Sequence, residues 1–180
     1  NLLAAIDFTG SNGEPHLPSS LHYFVPGKLI KLAENQYLQA MTAVGDILMN
    51  FDHDKQVPLF GFGGEIPGKS LELHLIVLRE WKHILTRSRR NSRHGKSILE
   101  RTQKVKLSGP TYFAPLLEYV NKLVTYTSED FPSKYFVLLL MTDGEIHDMD
   151  QTIDQIVVSS SLPLSIIIVG IGNANFRSMD

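Results

Sequence analysis

Cysteine is absent from this 180-residue chain. That excludes a disulfide framework, a thiolate zinc site and a cysteine nucleophile, and it suits a reducing, cytoplasmic setting. No apolar run approaches bilayer-spanning length, and the residues from Asn1 do not open a secretory signal. Internal repeats and low-complexity tracts are missing as well. What remains is ordinary: 43% hydrophobic and 20% charged residues, enough for one globular domain with a substantial core. The chain starts almost directly on a strand, as expected of a domain cut from a longer protein.

Charge is unevenly spread. Net charge is −2, yet residues 79–106 hold ten Lys/Arg against Glu80 and Glu100, a local +8 that leaves −10 elsewhere. Such asymmetry can attract an anionic partner. The tract lacks the interleaved aromatics of a base-stacking platform, so a solvated loop is favoured over nucleic-acid binding.

Apolar patterning predicts alternating strands and helices, hence a mostly parallel α/β sheet. Strands are expected at 2–7, 57–62, 71–78, 135–141 and 164–169. The continuous apolar runs of the last two predict burial on both faces. Residues 10–31 read as a loop, and 81–97 fit no element. Helices are expected at 34–50, with Leu38, Met41, Val44 and Leu48 inward, at 115–127, with Leu116, Val120 and Leu123 inward, and at 150–161.

Oxygen donors recur at the predicted strand ends. Asp7-Phe8-Thr9-Gly10-Ser11 follows the first strand as D-x-T-x-S. Three small oxygen donors without nitrogen or sulfur suit a hard cation such as Mg²⁺ or Mn²⁺. Ser and Thr after a strand also cap helices, so the motif acquires weight only with further ligands. In open α/β sheets ligands bind beyond the carboxyl ends of the strands, where strand order reverses. The turn Ser108-Gly109-Pro110-Thr111 and Met141-Thr142-Asp143-Gly144 should meet the first segment there.

This set resembles the metal-ion-dependent adhesion site of von Willebrand factor A domains, and the wider wording resembles the copine branch. Matching stretches include Ser11-Asn12-Gly13, Ser20-Leu21-His22-Tyr23, Ala43-Val44-Gly45-Asp46-Ile47, Phe60-Gly61-Phe62-Gly63, Thr142-Asp143-Gly144 and Leu162 to Gly170, in family order. The resemblance implies a doubly wound, Rossmann-like sheet with helices on both faces, here as one domain over residues 1–180. It implies that Thr9 and Ser11 hold Mg²⁺ or Mn²⁺ directly and that Asp7 and Asp143 act largely through waters. Thr111 would join when the site rearranges, and an open position would accept a carboxylate from a cytosolic protein partner. It further implies a non-enzymatic role in a cytoplasmic, calcium-dependent phospholipid-binding protein. Membrane contact would be peripheral, through C2 modules absent from this chain. Residues 70–106 depart from the family wording, and the family continues past Asp180 with another strand and helix, so an uncovered sheet edge is expected.

A rival match exists. Gly63 to Ser70 fits G-x-x-x-x-G-K-[ST], the phosphate-cradling loop of nucleotide hydrolases, with Asp143 as the Mg²⁺ carboxylate. That loop must open a helix at Ser70, whereas Leu71 to Leu78 alternates like a strand. Other catalytic patterns are weaker: an aspartyl-phosphate mechanism lacks its second Asp, no nucleophile elbow occurs, and His22, His53 and His147 read as surface or satisfied interior groups.

Overall fold

The computed structural model describes residues 1–23, 35–48, 50, 57–65, 76–78, 105–144 and 146–179. Its centre is β1 (Leu2–Asp7), flanked in parallel by β2 (Leu59–Phe62) and β6 (Phe136–Thr142). Beyond β6 lies the parallel β7 (Leu164–Gly170), and beyond β2 the antiparallel β4 (Ile76–Leu78). The order is therefore β4-β2-β1-β6-β7, while β3 (Gly64–Glu65) and β5 (Lys106–Leu107) form a separate two-stranded ladder.

Side-chain alternation along β1 divides the core. Leu2, Ala4 and Ile6 face α1 (Gln36–Leu48) with Tyr37 and Met41, whereas Leu3 and Ala5 face α2 (Ala114–Asp130) with Leu116, Leu117, Val120 and Val124. Strand β6 does the same, with Leu139 and Met141 on one face and Leu138 and Leu140 on the other. Its unbroken apolar run is thus a strand covered on both sides, as expected. The third helix, α3 (Met149–Ser159), lies beside α2. This is a doubly wound, Rossmann-like architecture with helices on both faces.

Four details correct or extend the expectations. Tyr37, 2% exposed, takes the first inward position of α1 in place of the half-buried Leu38. Both residues fit helical spacing to Met41, and stacking of Tyr37 on His22 decides between them. The strand predicted at 164–169 is not covered on both faces throughout: β7 is the sheet edge among the described residues, with Ile167 and Ile168 each 37% exposed, in line with the uncovered sheet edge also expected. The end of the predicted 71–78 strand is present as β4, antiparallel to β2, a direction that the sequence pattern left open, while 71–75 lie outside the described residues. The ladder of β3 and β5 has no counterpart among the predicted elements. The segments 24–34, 51–56 and 79–104, including His53, most of the basic tract and the unplaced 81–97, also lie outside the described residues.

Candidate metal centre

β1 and β6 are neighbours whose connections diverge. The chain leaves β1 through α1 toward β2 on one side, and leaves β6 through α3 toward β7 on the other. Their carboxyl ends therefore flank the reversal point where an open sheet forms a crevice. Asp7 closes β1, Thr142 closes β6, and Asp143 is the first residue beyond it.

A tight turn folds the rest of the first motif back over Asp7. Thr9 donates to Asp7 Oδ1 from its backbone N at 2.7 Å and from its hydroxyl at 2.6 Å. The 3-10 turn Gly10–Asn12 then carries Ser11 to 3.0 Å from the Thr9 hydroxyl, and Ser11 Oγ donates to Asp143 Oδ1 at 2.9 Å. Thr9 Oγ1 lies 3.4 Å from the same Asp143 oxygen. Asp7, Thr9, Ser11 and Asp143 thus form one contiguous oxygen cluster.

Thr111 arrives from a different segment. Ser108 N donates to Phe8 O and Gly63 O, each at 3.2 Å, and Gly10 N donates to Ser108 O. That docks the loop before α2 on the Asp7 turn. A Cβ on Gly144 would lie 3.7 Å from Ser11 Oγ and 3.9 Å from Thr111 Oγ1, so Gly144 is the small residue between the two hydroxyls. Thr111 stands across the Gly144 position from Ser11, no hydrogen bond among the described residues joins it to the four, and its own backbone bonds go to His147. Its N–H donates to His147 Nδ1 at 3.3 Å and its carbonyl accepts from His147 N at 3.0 Å.

The cluster is short of protons. Each hydroxyl carries one hydrogen. If Thr9 gives its own to Asp7 and Ser11 gives its own to Asp143, two lone pairs face each other across 3.0 Å. Both carboxylates are buried, at 0% and 6% exposure. Burial first, and the Asp7 charge second, push the Asp143 carboxyl up to about 6, partly offset by hydrogen bonds from Ser11 and Thr9. A divalent cation placed among these oxygens would relieve the facing lone pairs and the repulsion between the two carboxylates. An octahedral Mg²⁺ shell at about 2.1 Å sets adjacent ligands about 3 Å apart, and the Thr9 and Ser11 hydroxyl oxygens, the pair expected to bind directly, are 3.0 Å apart. Among the described residues no group of three or more His, Asp or Glu side chains is placed to hold a metal. A site here depends on hydroxyls and water.

Three participants had no role assigned from the sequence, although all lie in the quoted stretches. Thr142 Oγ1 donates to Asp7 Oδ2 at 2.6 Å, fixing the rear carboxylate oxygen. Asn12 Nδ2 donates to Asp143 Oδ1 at 3.0 Å and to Thr9 O at 3.1 Å. His22 Nε2 lies 2.6 Å from Asp7 O, and its ring is stacked between Phe8 and Tyr37. Burial lowers His22 to about 4 despite that bond, so the imidazole is neutral at neutral pH. Tyr37 is raised, by burial first and then by the charges of Asp7 and Asp143.

The nucleotide-loop match finds little support. Gly63 is followed directly by the paired strand residues Gly64 and Glu65, and Ile76–Leu78 is a strand. A helix opening at Ser70 would have to end before Ile76. Residues 66–75, including Lys69, lie outside the described residues.

Two comparisons with known proteins name one family, and a third bears on the fold. The copine family model matches residues 20–180. Copine-A of Dictyostelium discoideum is 40% identical over 184 residues, covering 100% of this chain and 29% of that protein. The chain therefore spans under a third of that relative's length. The structure of the manganese-loaded Plasmodium vivax TRAP protein superposes with a TM-score of 0.55 at 15% identity, covering 98% of this chain and 59% of that one. At that identity the likeness concerns the fold.

Proposed function

The chain belongs to the copine family, and from that premise we propose that it is a non-enzymatic protein-binding module that works through one divalent cation. Thr9 and Ser11 would hold the ion directly, Asp7 and Asp143 largely through water, and Thr111 on rearrangement. The cation would supply an electrophilic position open to a carboxylate of a protein partner. Mg²⁺ and Mn²⁺ both suit the donors, and the TRAP structure that shares this fold is manganese-loaded. In a longer copine the module would recruit cytoplasmic proteins, while calcium-dependent phospholipid binding would belong to C2 modules elsewhere.

The observation that carries this reading is the oxygen cluster of Asp7, Thr9, Ser11 and Asp143 at the β1–β6 crevice, with neighbouring oxygens 2.6 to 3.4 Å apart. Titration calorimetry with Mn²⁺ is expected to give one site per chain, lost in Asp7→Ala. Capture of protein partners by wild type should fail in EDTA and in that variant. Equal capture with and without EDTA would remove the proposal.

A further inference from the structure

The Asp7 carbonyl receives a bond from outside the oxygen cluster. His22 Nε2 lies 2.6 Å from it, and a second donor among the described residues, Asn12 Nδ2, is at 3.5 Å. A carbonyl only accepts, so Nε2 carries the hydrogen. The ring has little freedom. It stacks on Tyr37 at 4.1 Å and 6° and on Phe8 at 5.0 Å and 9°. Its backbone is tied down too: His22 N donates to Ser20 Oγ at 3.2 Å, and Leu21 N donates to Asn12 O at 3.0 Å. The slot suits any flat ring, but only a ring with a polar edge reaches the carbonyl.

We propose that His22 is a positioning residue for the metal centre: its Nε2–H bond holds the carbonyl edge of the Asp7–Phe8 peptide, whose N–H edge donates to Phe62 O at 2.8 Å, and the two together aim the Asp7 carboxylate. The link is geometric. The peptide between Asp7 and Phe8 sets where the Thr9 N–H falls, and that N–H holds Asp7 Oδ1 at 2.7 Å. Rotation of the peptide would separate the pair and release the carboxylate from Thr9. Tyr37 carries the same constraint into the first turn of α1, so the seating of that helix and the aim of Asp7 are mechanically joined. The consequence for metal affinity rests on the cation reading above; the aim of the carboxylate does not.

His22→Phe keeps the stack and removes the donor, and His22→Gln returns an amide N–H to about the same place without the stack. In the metal-free chain, the Thr9 amide proton observed by NMR is expected to move upfield and exchange faster in the phenyl variant, and to return in the glutamine variant. The Mn²⁺ dissociation constant, from the free-ion EPR signal, is expected to rise about tenfold in His22→Phe and to recover to within about threefold in His22→Gln. A phenyl variant matching wild type in both readouts overturns the proposal, as does one that only loses stability while its Thr9 amide stays put. If wild type binds no Mn²⁺, the cation reading fails and the Thr9 amide alone decides the role of His22. Should the phenyl variant not fold, a displaced Thr9 amide in His22→Gln overturns it.

Discussion

At the residue scale, small differences in space decide what the site tolerates. Gly63 has φ +74°, and a Cβ there would collide with the Thr9 side chain. Gly63→Ala should therefore cost about 1–3 kcal/mol and weaken Mn²⁺ binding by displacing Thr9. Gly109 is the control, because a Cβ there would meet nothing within 4 Å, and Gly109→Ala should do neither. Urea unfolding and calorimetry would read both. Protonation acts in opposite senses at two other residues. His22, lowered from 6.5 to about 4, leaves the native state binding fewer protons than the unfolded chain, so stability falls as pH drops from about 6.5 to 4. Asp143, raised from 3.8 to about 6, does the reverse, and stability rises as pH drops from about 6 to 4. The two shifts are similar in size and mask each other in wild type. In Asp143→Asn the His22 effect should emerge as a loss of at most about 3 kcal/mol over that range, reduced by the partial exposure of His22. A flat urea-denaturation profile for that variant would contradict the placement of His22.

At the element scale, the helices were legible because their apolar spacing is local, whereas their contacts were not. Helix α3 shows the limit: it turns only Thr152 and Ser159 fully inward, and leaves Ile153, Ile156, Val157 and Val158 exposed. Polar groups join it to α2, with Asn121 Nδ2 donating to Gln155 O at 3.0 Å and Ser159 Oγ donating to Asn121 Oδ1 at 2.7 Å. Asp148 does more. Its carboxylate accepts from Phe113 N and Ala114 N, each at 2.9 Å, and from Thr152 Oγ1 at 3.1 Å. It thereby satisfies orphan N–H groups at the start of α2 from the chain entering α3. Asp148→Ala is expected to cost about 1–3 kcal/mol, lowering the melting temperature by about 2–10 °C, and to disturb Thr111 two residues before Phe113. Differential scanning calorimetry and the Thr111 amide resonance would report the two effects separately.

At the scale of the whole molecule, the central crevice gathers segments that are 134 residues apart in Thr9 and Asp143. Folding must therefore hold two buried carboxylates together, and a cation that binds only the folded chain should stabilise it. Mn²⁺ at a hundredfold excess over its dissociation constant is expected to add about 2.7 kcal/mol. A thermal melt should shift upward by about 5–10 °C, and not at all in Asp7→Ala. An equal shift in that variant would assign the ion to another place.

The sequence by itself determined the strand–helix alternation, the strand β1 at 2–7 and the oxygen donors at the carboxyl ends of β1 and β6, because period and strand ends are written in neighbouring residues. It also carried the wording that identifies the family. Only the tertiary structure decided that β4 runs antiparallel and that Tyr37 rather than Leu38 points inward. It alone assigned Thr142, Asn12 and His22 to the surroundings of Asp7 and Asp143. These outcomes depend on which distant segments share a face, and hydrogen-bond partners far apart in the chain leave no periodic trace along it.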